Sequence, residues 1–380
     1  MQKKIIALAL AGLASSAVFA QTNVTIYGRA DMGYVYRGGE DGGVKKADGR
    51  SEIASGVGSG SRIGFKGSED LGNGLKAIFQ AEFAVNMDEN SGFAGTRNAY
   101  VGLNSNFGTV VAGRLDGVRY GVFGKYDAFA NGYLGNFTQM TAQVDRANSA
   151  IAYISPSFAG LTATLAYSTH IGNSNLFGLP GTTPVAMAAQ EGGTQAAGTG
   201  NDGDAQLATA MLNYKLGGLD VSADYERVTF RKNGTAGTAA AVHDDLYVAL
   251  IGASYDFGVV KVAALYDQQK TNPNTVGVNE IDFRSWFVSG SAPMGKFMLK
   301  ATYGQTENRN TADNKSAKLG LGVDYNLSKR TKLYTGYAQI WNDDNAARGL
   351  NFRANAYGVA SGAGTSYGTQ GFELGMAHTF

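Results

Sequence analysis

Leu75-Lys76-Ala77-Ile78-Phe79-Gln80-Ala81-Glu82-Phe83-Ala84-Val85 is an alternating run. Leu75, Ala77, Phe79, Ala81, Phe83 and Val85 share one parity, and Lys76, Gln80 and Glu82 share the other. Side chains of an extended chain point alternately to opposite sides, so this is a strand with one apolar and one charged face. A tilted strand crosses a bilayer in about 9–11 residues, which is the length of this run. Val24 to Tyr34 repeats the pattern: Val24, Ile26, Gly28, Ala30 and Met32 alternate with Thr25, Tyr27, Arg29, Asp31 and Gly33. In 318–325, Leu319, Leu321, Val323 and Tyr325 oppose Lys318, Gly320, Gly322 and Asp324. The strand after Tyr334 has ambiguous parity.

The connections fall into two kinds that take turns. Short ones are 69–74, 105–108, 155–160, 217–218, 256–259, 293–295 and 326–330. Long ones are 38–59, 87–96, 116–147, 170–204, 231–243, 270–280, 308–315 and 343–369. Seven short and eight long connections join sixteen strands, near 24–37, 60–68, 74–86, 97–105, 109–115, 148–156, 160–169, 205–217, 218–230, 244–257, 258–270, 281–293, 295–307, 316–327, 331–342 and 370–380. That rhythm predicts an all-β, sixteen-stranded antiparallel transmembrane barrel with short periplasmic turns and long outer loops. In lipid only helices and closed barrels satisfy their backbone polar groups, and after Leu13 no run approaches 18 apolar residues.

Composition agrees. Glycine is 54 of 380 residues, about twice the usual share of roughly 7%. Tyr (20) and Phe (19) are frequent and Pro (5) is rare, which suits tight turns and aromatic-flanked strands. Tyr214, Tyr255, Phe257, Tyr266, Phe297, Tyr303, Tyr325 and Phe380 crowd strand ends, as an aromatic belt at the headgroup level would. A soluble β-sandwich also alternates, but it needs bulky apolar faces to fill its core. Here Arg29, Asp31, Lys76, Glu82, Lys300 and Asp324 sit mid-strand, and other faces are small, as at Ala208, Ala210 and Ala223.

Residues 1–20 read as a cleaved export signal: Lys3 and Lys4 precede an apolar run, and Val18-Phe19-Ala20 ends on a small residue. The run is too short for a membrane anchor of roughly 20 apolar residues. The expected folded part is 21–380, one barrel. Without 1–20 the net charge is −1, which argues against nucleic acid as a partner. There is no cysteine, so disulfides and thiolate chemistry are excluded.

Named segments resemble the general-diffusion porins of neisserial and β-proteobacterial type. They are Val24-Thr25-Ile26-Tyr27-Gly28-Arg29-Ala30-Asp31, the run from Gly60 through Arg62-Ile63-Gly64-Phe65-Lys66-Gly67 to Gly74, and Ala99-Tyr100-Val101-Gly102-Leu103. Further ones are Phe107-Gly108-Thr109 with Ala112-Gly113-Arg114, Ser155-Pro156 with Phe158-Ala159-Gly160-Leu161, Leu327-Ser328-Lys329-Arg330-Thr331, and His378-Thr379-Phe380. They span the mature chain and are specific jointly. The resemblance implies an outer-membrane homotrimer passing small ions and solutes by diffusion, with no cofactor and no catalysis. It implies that the third long loop, 116–147, folds inward to narrow the channel. That loop brings Asp116, Arg119, Lys125, Asp127, Asp145 and Arg146 toward wall residues Arg62, Lys76 and Arg114, with Arg29 and Lys66 nearby and Glu82 opposing them. Five positive wall residues against Asp31 and Glu82 imply a weak to moderate anion preference. Ala152 and Ala377 stand where a basic residue is common, and the first weakens that case. Phe380 resembles the terminus read by barrel assembly machinery. Outer-membrane lipid and lipopolysaccharide are the expected surroundings.

Other chemistry finds little support. His170, His243 and His378 are the only histidines, HExxH is absent, and no strand-to-helix nucleophile elbow supports a Ser-His-Asp triad. Acidic runs at 201–204 and 342–345 are compatible with calcium ligands or, more commonly, with solvated turns. A barrel acting as an adhesin through loops 170–204 and 343–369 is the alternative from a different class.

Overall fold

The computed structural model describes residues 23–41, 44–90, 92–141, 143–171, 176–177, 204–231, 245–272, 282–346, 348–350 and 368–380. Expectations for 1–20, for most of 170–203 and for 351–367 lie outside them. In chain order the elements are β1 (Asn23–Asp41), β2 (Val44–Ser55), β3 (Arg62–Gly72), β4 (Leu75–Val85), β5 (Phe93–Ser105) and β6 (Gly108–Asp116). Next come α1 (Val118–Tyr126), a 3-10 turn (Thr138–Met140), β7 (Gln143–Val144), β8 (Arg146–Ile154), β9 (Leu161–Ser168) and β10 (Leu176–Phe177). The rest are β11 (Asp204–Leu216), β12 (Leu219–Arg231), β13 (Asp245–Asp256), β14 (Lys261–Asn272), β15 (Asp282–Met294), β16 (Phe297–Asn308), β17 (Lys315–Asn326), β18 (Thr331–Asn342) and β19 (Gln370–Thr379).

All but β7 and β10 form one antiparallel sheet in which, apart from β2 and β3, strands consecutive in the chain are paired. The sheet closes where β1 pairs with β19 from Arg29↔Thr379 to Gly38↔Gln370. Closure leaves no open edge to template aggregation. The sheet has seventeen strands, but β2 and β3 are two halves of one crossing: β3 pairs with the start of β1 and β2 with its end. The barrel is therefore sixteen-stranded.

The break between β2 and β3 turns inward. Gly56 N–H donates to Asp31 O (2.7 Å) and Gly58 N–H to the Asp31 carboxylate (3.0 Å). The expected long loop 38–59 is thus corrected: residues 44–55 are strand. Its polar run, Lys45-Lys46 through Arg50-Ser51-Glu52, has no apolar period of two, so the sequence carries no strand signal there. β5 likewise starts at Phe93, not near 97, because the β4–β5 ladder shifts register between Ala81 and Phe83 and Gly95 takes a positive φ of 134°.

Parity resolves the faces. On β19, Phe372, Leu374 and Met376 are exposed while Glu373 and Ala377 are buried. The ambiguous β18 turns Leu333, Tyr337 and Trp341 outward and Tyr334, Ala338 and Ile340 inward. Aromatic rings beside the short turns pair up, as in Tyr255–Phe257 (4.6 Å between centroids) and Phe297–Tyr325 (4.9 Å). A second set, including Tyr225, Trp286, Tyr337 and Trp341, faces outward toward the long connections. Two belts flanking an apolar band fit a membrane barrel.

The core sits inside the barrel, on one side. Phe123, Tyr126, Phe129, Leu134, Phe137 and Met140 from the segment between β6 and β8 pack on Leu250, Leu265, Phe287, Tyr334, Ala338 and Ile340 of the wall. The third long loop does fold inward.

Candidate constriction site

The loop is fastened strand by strand, and its sequence supplies each fastener. Arg119 of α1 donates twice to Asp267 of β14 (2.7 Å each), and its backbone N–H points at Glu226 of β12 (3.3 Å). Burial works against the Arg119 charge, but Asp267 outweighs it and raises the guanidinium's proton affinity. Lys125 pairs with Asp220 of β12, and the Tyr126 hydroxyl donates to Asp220 (2.8 Å). Ala128 N–H donates to Ser289 of β15 (2.7 Å). Asp127 accepts from Phe129 N–H (2.9 Å), Phe137 N–H (2.5 Å) and the Thr302 hydroxyl of β16 (2.8 Å). Burial pushes its carboxyl up to about 6, against the pull of those donors. Lys318 of β17 donates to Asn136 O (2.5 Å), and Leu134 N–H donates to Glu373 of β19 (2.9 Å). At the root of the loop, Arg146 bridges Asp116 (3.0 Å) and Asp145 (2.8 Å). Burial raises Asp145 to about 6.

What remains open is bounded by wall and loop together. A cavity of about 560 Å³ runs between the β1, β3 and β5 wall and the loop segment around 128–133. Its charged lining is Arg29, Arg62 and Arg97 on that wall, Lys300 of β16 and Lys332 of β18, and the acids Asp116 and Asp324. Five cations face two acids. Both acids are engaged: Asp324 holds Lys300 (2.7 Å) and Lys332 (2.6 Å), and Asp116 accepts from Asn98 (2.9 Å) besides Arg146. Tyr133 sits with Lys300 4.0 Å above its ring and Lys332 at 5.3 Å. Glu82 lies just behind the arginines, 2.5 Å from Arg97 and 3.7 Å from Arg62. Asp31, fully buried, is 3.6 Å from Arg29.

Of the residues expected at the constriction, Arg29, Arg62 and Asp116 line the cavity and Glu82 braces two of its arginines. The others do something else. Lys66 is four residues down β3 from Arg62, about 13 Å at ~3.3 Å per residue, and stacks over Tyr27 (5.2 Å). Lys76 pairs with Asp70 in register, about 26 Å below Arg62 by the same rise. Parity puts both on the inward face, but parity carries no depth. Arg114 donates to Thr96 O (2.9 Å) and to Asn148. Arg119, Lys125, Asp127, Asp145 and Arg146 serve as fasteners.

Arg97, Lys300, Asp324, Lys332 and Tyr133 are the lining residues that sequence reasoning did not place there. Lys300 and Asp324 were visible as mid-strand charges. Their meeting with Lys332 needs the β16–β17–β18 register, which sets Met298↔Asp324 and Asn326↔Lys332. In the acidic run 342–345, Asp343 accepts from Lys315 N–H (3.2 Å) and Asn342 donates to Arg348 O (2.9 Å), so these side chains tie loops together.

Comparison with known proteins gives the same picture along the whole chain. The Gram-negative porin family matches residues 7–345. Outer membrane porin protein 32 of Delftia acidovorans is 31% identical over 393 aligned residues, covering all of both chains. An outer membrane porin protein of Bordetella pertussis is 28% identical, covering 88% of this chain and 93% of its own. A solved structure described as the anion-selective porin from Comamonas acidovorans superposes with a TM-score of 0.74 at 28% identity, over 95% of this chain and 100% of that one. OmpT of Vibrio cholerae shares the fold alone, with a TM-score of 0.63 at 17% identity over 94% and 98% of the two chains. A closed sixteen-stranded barrel, an inward loop and a match of this extent lead to one conclusion: the chain belongs to the Gram-negative porin family, an outer-membrane channel for passive diffusion.

Proposed function

We propose that the channel conducts small hydrophilic ions with a weak to moderate preference for anions. The observation that carries this is the lining: Arg29, Arg62, Arg97, Lys300 and Lys332 against Asp116 and Asp324. Charges close to an ion's path in a low-dielectric tube set selectivity by attraction and repulsion. The preference is moderate because Glu82 and Asp31 stand directly behind three of the five cations. The porin of Comamonas acidovorans, described as anion-selective, supports the direction.

The family resemblance supports three further parts of this reading. The chain works as a homotrimer in a lipid and lipopolysaccharide membrane. It is exported through a signal at 1–20 that is removed. Phe380 presents the terminal strand to assembly machinery.

The test is the reversal potential of the purified protein in a planar bilayer across a potassium chloride gradient. The expected sign is that of chloride preference. The double variant Arg62→Gln/Arg97→Gln moves the potential toward zero. Cation selectivity in the unaltered protein refutes the proposal.

A further inference from the structure

Inward-facing glycines on the wall meet the loop where it narrows the channel. A β-carbon placed on Gly322 of β17 would lie 2.6 Å from Cε1 and 3.1 Å from Cζ of Phe129. One placed on Gly252 of β13 would lie 2.7 Å from both Cδ2 and Cε2 of Tyr126. On Gly304 of β16 it would reach Phe137 Cε2 at 2.7 Å, and on Gly320 of β17 the Gly135 backbone at 2.5 Å. Ordinary carbon contacts are about 3.5–4.0 Å, so each of these β-carbons would displace the loop by about 1 Å. Glycine in a strand interior weakens it and often marks a close approach of another backbone or group. Here four such positions on three strands all face one loop.

We propose that these glycines are sockets that set the calibre of the channel. Phe129 is the decisive contact because it touches Gly322 on one side and lines the cavity on the other. Filling the Gly322 socket drives Phe129 into the lumen. The loop cannot yield the other way: Asp127 is bonded to Phe129 N–H, to Phe137 N–H and to Thr302, and Ala128 N–H is bonded to Ser289. Its backbone is pinned on both sides of the ring. The wall cannot yield either, since β17 is paired on both edges from Ser316 to Tyr325. The charge at the constriction stays as it was, so calibre and selectivity become separable.

Gly322 and Gly252 give the cleanest variants. At Gly322 the next contact beyond the ring is Thr335 O at 3.4 Å, and at Gly252 it is Leu265 Cδ1 at 3.5 Å. Gly304 is unsuitable, because its β-carbon would also strike the backbone of Trp286. Gly290 on β15 is the control, with only Lys261 O nearby at 3.8 Å.

The inference rests on the chain being an open channel, so the experiment begins with the unaltered protein. If that protein conducts, the channel reading stands whatever the variants do. The measurement is single-channel conductance and reversal potential of Gly322→Ala, Gly252→Ala, Gly290→Ala and the double variant Gly322→Ala/Phe129→Leu. We expect lower unit conductance in Gly322→Ala, an unchanged reversal potential and no change in Gly290→Ala. Shortening the ring in Gly322→Ala/Phe129→Leu restores conductance, which separates displacement from misfolding. Gly252→Ala, acting through Tyr126, tests the same idea should Gly322→Ala fail to assemble, and lowers conductance less. Unchanged or raised conductance in Gly322→Ala overturns the proposal, as does a double variant no more conductive than Gly322→Ala.

Discussion

Individual side chains divide into those that ions meet and those that hold other groups still. Sequence alone gives a strand residue its face but not its depth. Arg29 and Arg62 fall on the inward face and also meet in register, Arg29↔Arg62, at the cavity. Lys66 and Lys76 share that face and lie too far along the barrel to matter at the constriction. The contrast is testable in one series of reversal potentials. Arg97→Gln moves the potential toward zero, while Lys66→Gln and Lys76→Gln leave it near that of the unaltered protein. Equal effects at all three would mean that charge acts along the whole lumen and not at a narrow point. Phe380 belongs to this scale too. Its ring covers Gly28, where a β-carbon would come within 2.8 Å of Cε2, and its backbone bonds Gly28 in both directions (3.0 and 3.1 Å). Phe380→Ala strips the last contact of the closing seam. Refolding into detergent, followed by the heat-dependent shift in gel mobility, is expected to slow, with the folded endpoint retained.

The elements explain why half of the site was hidden. Alternation located the strands, and the run at 75–85 matches β4 residue for residue. Beyond this, the strands that carry the loop are apolar inside as well: Leu246, Val248 and Leu250 face a packed interior, not water. Loop 116–147 could be identified by position, but its charges read as lining because nothing in a sequence shows which wall carboxylate each one meets. Arg119 reaches Asp267, 148 residues away. Removing one partner of a buried ion pair costs about 3–5 kcal/mol, so Arg119→Ala should loosen the loop strongly. Asp127→Ala leaves the buried Phe129 and Phe137 N–H groups without their acceptor, at about 1–3 kcal/mol each. Tryptic cleavage after Lys125 in the assembled barrel reads this directly. It is expected in both variants and absent from the unaltered protein. Resistance in both would show that aromatic packing alone seats the loop.

At the scale of the whole molecule, the asymmetry of the filling is what makes a channel. The loop packs on β12 to β19, and the opening that survives is lined by the arginines of β1, β3 and β5 and by Lys300, Asp324 and Lys332 of β16 to β18. Sixteen crossings were countable in the sequence from the interleaved turns. The splitting of one crossing into β2 and β3 was not, because its inward break at 56–61 is held by Asp31 and by Tyr133 N–H donating to Val57 O (3.2 Å). The remaining cavity implies a barrel that is open despite its loop. Single-channel recording of the purified protein in a planar bilayer decides the point. Stepwise ohmic openings are expected, in groups of three, as a trimer of independent pores gives. A folded, membrane-inserted barrel that passes no current would contradict this and would favour a surface protein with a plugged lumen.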